Sequence, residues 1–180
     1  MRTYVIRPIF LSKNSKIRKP NNINEFLSET VRLAEALPNV SVLKSISVKL
    51  RKPDPGKLLG EGKVNSLNEI FKEKYISLVI LDSELTPIQQ RNLEKIWKLK
   101  VLGRTALILE IFGARAKSSE GILQVELAHL NYQKSRLVRS WTHLERQRGG
   151  MGFLGGPGEK QIEADKRAIN NRINQIRKDL

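Results

Sequence analysis

The chain has 180 residues, no cysteine, and a net charge of +15 from 33 lysines and arginines against 18 aspartates and glutamates. This length suffices for one large domain or two small ones with a buried core. The lack of cysteine excludes disulfides, thiol catalysis and thiolate metal sites, and it fits a reducing cytoplasm. No apolar run approaches the roughly 18 residues of a transmembrane helix, so we expect a cytoplasmic protein with no membrane segment.

The positive charge is unevenly distributed along the chain. Residues 1–60 carry 12 basic and 4 acidic side chains, a net +8, and residues 130–180 carry 11 and 5, a net +6. Residues 61–129 carry 10 and 9, a net +1. A basic excess at both ends indicates surfaces that bind a polyanion such as nucleic acid. The alternative is that the charge serves solubility alone.

The first 117 residues alternate short apolar runs with helical patterns. Strands are predicted at Thr3–Leu11, Val40–Leu50, Ile76–Leu81 and Lys100–Leu102. Helices are predicted at Asn22–Leu37, from Gly62 or Lys63 to Lys74, after the capping sequence Thr86-Pro87-Ile88-Gln89, and from Thr105. This alternation predicts an α/β subdomain, residues 1–117, with a small parallel sheet and right-handed crossover helices.

From Ser119 onward the apolar residues follow heptad spacing. The first series is Leu123, Leu127, Leu130, Leu137, Trp141 and Leu144, and the second is Ile162, Ile169, Ile173, Ile176 and Leu180. Two heptad helices joined by about a dozen residues predict a long antiparallel α-helical (coiled-coil) hairpin, residues 118–180. The alternative is two core helices of an ordinary bundle. A monomer is expected.

The connection between these helices, residues 147–158, is rich in glycine. Six of the twelve glycines of the chain fall between Gly149 and Gly158, together with apolar and basic residues that a Gly/Ser linker would lack. We predict that this tip loop contacts the surface of a partner. The predicted binding residues are Arg146, Arg148, Gly149, Gly150, Met151, Gly152, Phe153, Leu154, Gly155, Gly156, Gly158 and Lys160.

The segment Gly56–Val64 resembles a phosphate-binding loop but does not match it. That loop needs four residues between its first glycine and Gly-Lys, followed by Ser or Thr. Here five residues intervene and Val64 follows Lys63. Gly60 and Gly62 are therefore interpreted as a turn into the next helix, with anion binding at that helix N-terminus and Lys63 as the alternative.

We predict no catalytic residue, metal site or bound cofactor in this chain. Asp82 and Glu84 follow the third strand, where open α/β sheets bind ligands, but a lone aspartate there more often accepts a hydrogen bond at a helix entry. His129 and His143 lack further metal ligands. Because no Gly-Lys-Ser/Thr sequence occurs, GTP hydrolysis by this chain alone is not expected.

Four segments together resemble the HflX family of ribosome-associated GTPases, over residues 24–180. They are L-G-E-G-K-V (59–64), D-S-E-L-T-P-I-Q-Q-R-N-L-E (82–94), S-E-G-I-L-Q-V-E-L-A-H-L-N-Y (119–132) and R-Q-R-G-G-M-G-F-L-G-G-P-G-E-K-Q-I-E-A-D-K-R (146–167). Two departures are Gly103, where the family usually has aspartate before Arg104-Thr105, and the lack of an arginine near Gly155.

The resemblance implies a module that binds the large ribosomal subunit and its 23S rRNA, in a GTPase that splits or rescues stalled ribosomes. The tip loop would approach RNA near the peptidyl-transferase region. Family members continue into a GTP-binding domain that uses GTP and Mg²⁺, so this sequence is expected to be a piece of such a protein or a truncated gene product. Two alternatives are an α/β domain with weak ATP or GTP binding of its own, and dimerisation through the heptad helices.

Overall fold

The computed structural model describes residues 1–11, 21–147 and 157–180, and of residues 21–24, 138–147 and 157–162 it describes the backbone only. The chain divides into two compact units, Met1–Ala114 and Arg115–Leu180. Each unit is described by itself below.

The first unit is built around a parallel sheet. Its described strands are β1 (Arg2–Phe10), β2 (Ser41–Leu50), β3 (Leu78–Leu81) and β4 (Lys100–Gly103), in the order β2-β1-β3-β4. The helices between and after them are α1 (Asn21–Glu35), α2 (Glu61–Glu73), α3 (Pro87–Trp97) and α4 (Arg104–Arg115), whose last residue falls in the second unit. The predicted α/β class with a small parallel sheet is confirmed.

Both faces of the sheet are covered, because side chains of β1 alternate between two apolar clusters. Tyr4 and Ile6 pack with residues of α2 and α3, whereas Val5 packs with residues of α1 and α4. The four residues of β3 are all buried, as a continuous apolar strand predicts. In the first cluster the ring of Phe71 lies 5.2 Å from Tyr4 and 5.1 Å from Trp97, both in edge-to-face contact.

The predicted capping box at the start of α3 is confirmed. The Thr86 hydroxyl accepts a hydrogen bond from the backbone N–H of Gln89, and the Gln89 side chain accepts one from the backbone N–H of Thr86. The Gln89 amide also donates to the carbonyl of Asp54 at 2.9 Å. The start of α3 therefore holds the loop that follows β2.

Some element boundaries differ from the prediction. β3 begins at Leu78 rather than Ile76, and α4 begins at Arg104 rather than Thr105. In α4, Leu107 and Ile111 are buried, whereas Phe112 is 59% exposed. The 3.6-residue period of a helix predicts which residues form its apolar stripe, but a residue at the edge of that stripe is exposed to water.

The end of α2 is closed by a Schellman motif with an unusual residue. Ile76 N–H donates to the Phe71 carbonyl at 2.9 Å, Tyr75 N–H donates to the Lys72 carbonyl at 3.3 Å, and Tyr75 has φ 51°. This left-handed position commonly holds glycine, since a side chain there costs about 1–2 kcal/mol. Lys98, the residue that follows α3, is likewise in the left-handed region, with φ 55°.

The second unit contains α5 (Ser119–Gln147) and α6 (Pro157–Asp179), which contact each other. Arg172 donates to both carboxylate oxygens of Glu126, at 2.6 and 2.9 Å. The hydrogen bonds of this ion pair are the main cause that lowers the pKa of Glu126 and raises the pKa of Arg172. Ile173 and Ile176 are buried, whereas Leu180 is 50% exposed.

Within the described residues, no helix has both the length and the apolar character to span a bilayer.

Candidate functional site

Segments singled out from the sequence meet at the carboxyl edge of the sheet. Since all strands are parallel, residues 51–60 after β2, Asp82 after β3 and Arg104 after β4 lie at this one edge. The strand order reverses between β1 and β3, and open α/β sheets bind ligands at such a point. The carboxyl edge is therefore the first place to look for a site.

The Asp82 carboxylate is the centre of an ion network at this edge. Its side chain is 1% exposed; one oxygen accepts from Arg7 of β1 and the other accepts from Arg104 at 2.7 Å. Arg104 also donates to Glu29 of α1 at 2.7 Å. The hydrogen bond to Asp82 is the main cause that raises the pKa of Arg104, against a smaller opposing effect of burial.

This network orders the edge rather than offering a catalytic group. Because both oxygens of Asp82 are engaged by guanidinium groups, neither is presented to a substrate. The guanidinium of Arg7 lies 4.7 Å from the ring centroid of Phe26, which ties α1 to β1 by a cation–π contact. Asp82 does accept a hydrogen bond at a helix entry, from the side chain of Arg104 at the start of α4, and its other oxygen accepts from Arg7 of β1.

Sequence reasoning missed the pairing of Arg7 with Asp82, because 75 residues separate them. The available signal was an arginine inside the otherwise apolar run T-Y-V-I-R-P-I-F-L. A charge in a covered strand needs a counter-charge nearby, and a buried aspartate at the end of a neighbouring strand supplies it.

The glycines at the start of α2, Gly60 at the N-cap and Gly62 in the first turn, are not required by the backbone. Gly60 has φ −62°, and a Cβ at Gly60 or at Gly62 would meet nothing within 4 Å. The left-handed residue of this loop is Leu58, with φ 63°. Asp54 closes the turn by accepting from the backbone N–H groups of Gly56 and Lys57, at 2.8 and 2.7 Å.

The N-terminus of α2 has an open surface around it. Gly60 caps the helix without a side-chain hydrogen bond, and Gly60, Gly62 and Lys63 are exposed. Such an end carries partial positive charge and free N–H groups. Anion binding by Gly60, Gly62 and Lys63 stays a prediction.

The predicted tip loop falls outside the described residues. Residues 148–156 are not described. Arg146 lies on α5 and Gly158 and Lys160 lie on α6, and the side chains of Arg146 and Lys160 are not described. What the structure adds is the framework on either side, two helices of 29 and 23 residues.

No group of three or more His, Cys, Asp or Glu side chains in the described part of the chain is placed to hold a metal ion. The sequence also lacks the Gly-Lys-Ser/Thr of a phosphate-binding loop.

Two family models cover most of the chain, and they meet close to the boundary between the two units. The model described as "GTP-binding GTPase N-terminal" matches residues 24–113, and "GTP-binding GTPase Middle Region" matches residues 115–180. Among solved structures, a GTP-binding protein from Sulfolobus solfataricus in complex with GDP aligns with a TM-score of 0.60 at 22% identity, over 98% of this chain and 46% of that one. That identity shows the fold alone.

Curated relatives named GTPase HflX are more similar in sequence. The protein of Magnetococcus marinus is 52% identical over 155 residues, which are 83% of this chain and 36% of the relative. The Escherichia coli protein is 49% identical over 141 residues, 78% of this chain and 33% of the relative. This chain thus spans about a third of the length of these relatives. It belongs to the HflX family of GTPases and corresponds to the N-terminal and middle regions of its members.

Proposed function

We propose that this chain is the ribosome-binding N-terminal module of an HflX-type GTPase that splits or rescues stalled ribosomes in the cytoplasm. Its partner is the large ribosomal subunit, through 23S rRNA. The observation that carries the proposal is the pair of family matches, which together run from residue 24 to residue 180. The net charge of +15 supports an RNA partner, because phosphate groups attract clustered lysine and arginine side chains. GTP and Mg²⁺ would be bound by a domain that this sequence does not contain.

We further propose that residues 118–180 form a long antiparallel hairpin with the tip loop 147–158 at its end. The ion pair between Glu126 and Arg172 supports the antiparallel direction. If the helices were parallel and kept this ion pair, the start of α6 would lie beyond the start of α5. The start of α6 would then be more than about 43 Å from Gln147, since a helix rises about 1.5 Å per residue. The connection from Gln147 to Pro157 reaches at most about 36 Å.

The tip loop has the composition of an RNA contact. Glycine lets a backbone approach RNA closely, arginine binds phosphate, and an aromatic ring such as that of Phe153 stacks on an exposed base. In this proposal the contacts are made by Arg146, Arg148 and Lys160 at the helix ends and by the residues between them.

Replacement of Gly149–Gly158 by a Ser/Gly linker of equal length tests the proposal. We expect the melting curve by circular dichroism to change little, because the two apolar clusters found among the described residues are formed by residues of the first unit. Binding to large ribosomal subunits in competition assays should weaken more than tenfold, since a shaped loop fits one RNA site.

The matched control neutralises charge outside the loop. Substitution of Lys49, Arg51 and Lys52 by glutamine removes three exposed charges. The linker variant instead keeps Arg146, Arg148 and Lys160 and changes only the shape and the apolar side chains of the loop. The glutamine variant should lose less affinity than the linker variant. Equal binding by the linker variant and the unsubstituted chain would show that the tip is only a connector.

The alternative function, nucleotide binding by the α/β unit itself, has its own test. We expect no phosphate release from GTP above background by this chain, with or without ribosomes, because the spacing at Gly56–Val64 does not build a phosphate loop. Isothermal titration with ATP and GTP accompanies the assay. Turnover that persists through repurification, or saturable binding lost in Lys63→Gln, would favour the alternative.

A further inference from the structure

Tyr75 is an exposed aromatic side chain on the first unit. It is 77% exposed, at the turn between α2 and β3. Its neighbours in sequence have clear structural tasks: Ile76 is buried in the first apolar cluster, and Ser77 donates to the carbonyl of Arg2 through both its N–H and its hydroxyl. The ring of Tyr75 has no such place in the core.

The backbone at Tyr75 favours a different residue. Its φ of 51° lies in the left-handed region, where glycine is the usual occupant of the Schellman motif. Tyr75 adopts this strained backbone conformation. Because its side chain is 77% exposed, packing of the ring offsets little of the free-energy cost of the strain. A strained position with an exposed side chain is where a binding role is expected.

The surroundings of Tyr75 are basic. α2 and α3 run in the same direction and contact each other, and the edge-to-face contact of Phe71 with Trp97 joins their last turns. The exposed lysines Lys72, Lys74 and Lys98 therefore lie at the same edge of the sheet as Tyr75. Glu73 is the exposed acid among them. The helix dipole accounts for lysines at a helix end, but it does not account for an aromatic ring.

We propose that Tyr75 is a base-stacking contact for single-stranded RNA, with the neighbouring Lys72, Lys74 and Lys98 binding its phosphates. Exposed rings among cations are the usual means by which proteins hold unpaired bases, since every base has a face on which a ring stacks. The inference rests on the proposed function for the nature of the partner, RNA. It adds a second contact, on the α/β unit, that does not involve the tip loop.

The test uses a fluorescein-labelled 12-nucleotide oligouridylate and the whole chain. Tyr75→Leu removes the aromatic ring but keeps a Cβ and a Cγ, so the backbone strain at this position is unchanged. In anisotropy titrations at low salt, this substitution should weaken binding about 5- to 150-fold. Tyr75→Phe should bind as the unsubstituted chain does. The pair Lys72→Gln and Lys74→Gln should lower the slope of log K against log salt by about 1.4.

A matched control and a direct readout accompany the titration. Phe112 is 59% exposed on α4, which packs on the opposite face of the sheet, so Phe112→Leu should leave the affinity unchanged. With 4-thiouridine in the oligonucleotide, photo-crosslinking followed by mass spectrometry should recover the peptide that contains Tyr75. The Tyr75→Leu variant should lose this crosslink.

The outcomes separate this inference from the proposed function. If the unsubstituted chain binds RNA, and Tyr75→Leu binds equally well with no crosslink at Tyr75, the inference fails and the proposed function stands. If Tyr75→Leu weakens binding to ribosomal subunits but not to RNA, the partner of Tyr75 is a protein, which also overturns it. If the unsubstituted chain binds neither RNA nor subunits, both proposals fail.

Discussion

Raising the salt concentration from 50 to 200 mM should weaken binding of this chain to large ribosomal subunits about a thousandfold. The expectation follows from the charge, +8 over residues 1–60 and +6 over residues 130–180. Each phosphate contact releases counterions and adds about 0.7–0.9 to the slope of log K against log salt. About six contacts, fewer than half of the net charge, are enough for the predicted loss.

Cosedimentation with purified large subunits over a salt series measures this slope. A matched experiment with small subunits shows how much of the binding is non-specific, because phosphate contacts alone do not distinguish the two. Binding that is absent at low salt, or that does not change with salt, would contradict an RNA partner. A steep slope shared equally by both subunits would contradict the proposed preference for the large subunit.

Substitution of Asp82 by alanine should have the largest effect on stability among the charged residues described. The side chain is 1% exposed and accepts from two arginines, so its removal leaves Arg7 and Arg104 facing each other without their shared partner. Breaking a buried ion pair costs about 3–5 kcal/mol. Since these arginine side chains are 22% and 36% exposed and reach water, we expect a loss of about 2–4 kcal/mol.

Urea unfolding followed by tryptophan fluorescence measures this loss. Trp97 is buried in the first unit, and Trp141→Phe leaves it as the only tryptophan of the chain. The matched control is Glu110→Gln, which removes an exposed ion pair with Lys100 and should cost less than about 1 kcal/mol. Equal midpoints for Asp82→Ala and Glu110→Gln would show that the network at the carboxyl edge contributes little.

The substitution also separates stability from binding. If Asp82 only orders the edge, the folded fraction of Asp82→Ala should bind large subunits with unchanged affinity once its concentration is corrected for unfolding. A loss of affinity beyond that correction would place this edge in the interface and would call for a role of Arg7 or Arg104 toward phosphate.

Local patterns in the sequence determined the elements of the fold well. The apolar run ending at Leu81 predicts a strand covered on both faces, and Thr86 with Gln89 predicts the start of α3, because a capping box is formed by residues three apart. The heptad spacing predicts two long helices in the second unit, again from contacts between near neighbours. The four quoted segments also identify the family.

Only the tertiary structure decided what is brought together over long distances in the chain. The strand order places β1 between β2 and β3, and this order brings Arg7 to Asp82 across 75 residues. No local pattern contains that pairing, since the partner of a buried charge is chosen by sheet topology. Backbone strain at Tyr75 is equally hidden, because tyrosine at a helix end carries no sign of a left-handed φ until the Schellman hydrogen bonds and the buried Ile76 impose it.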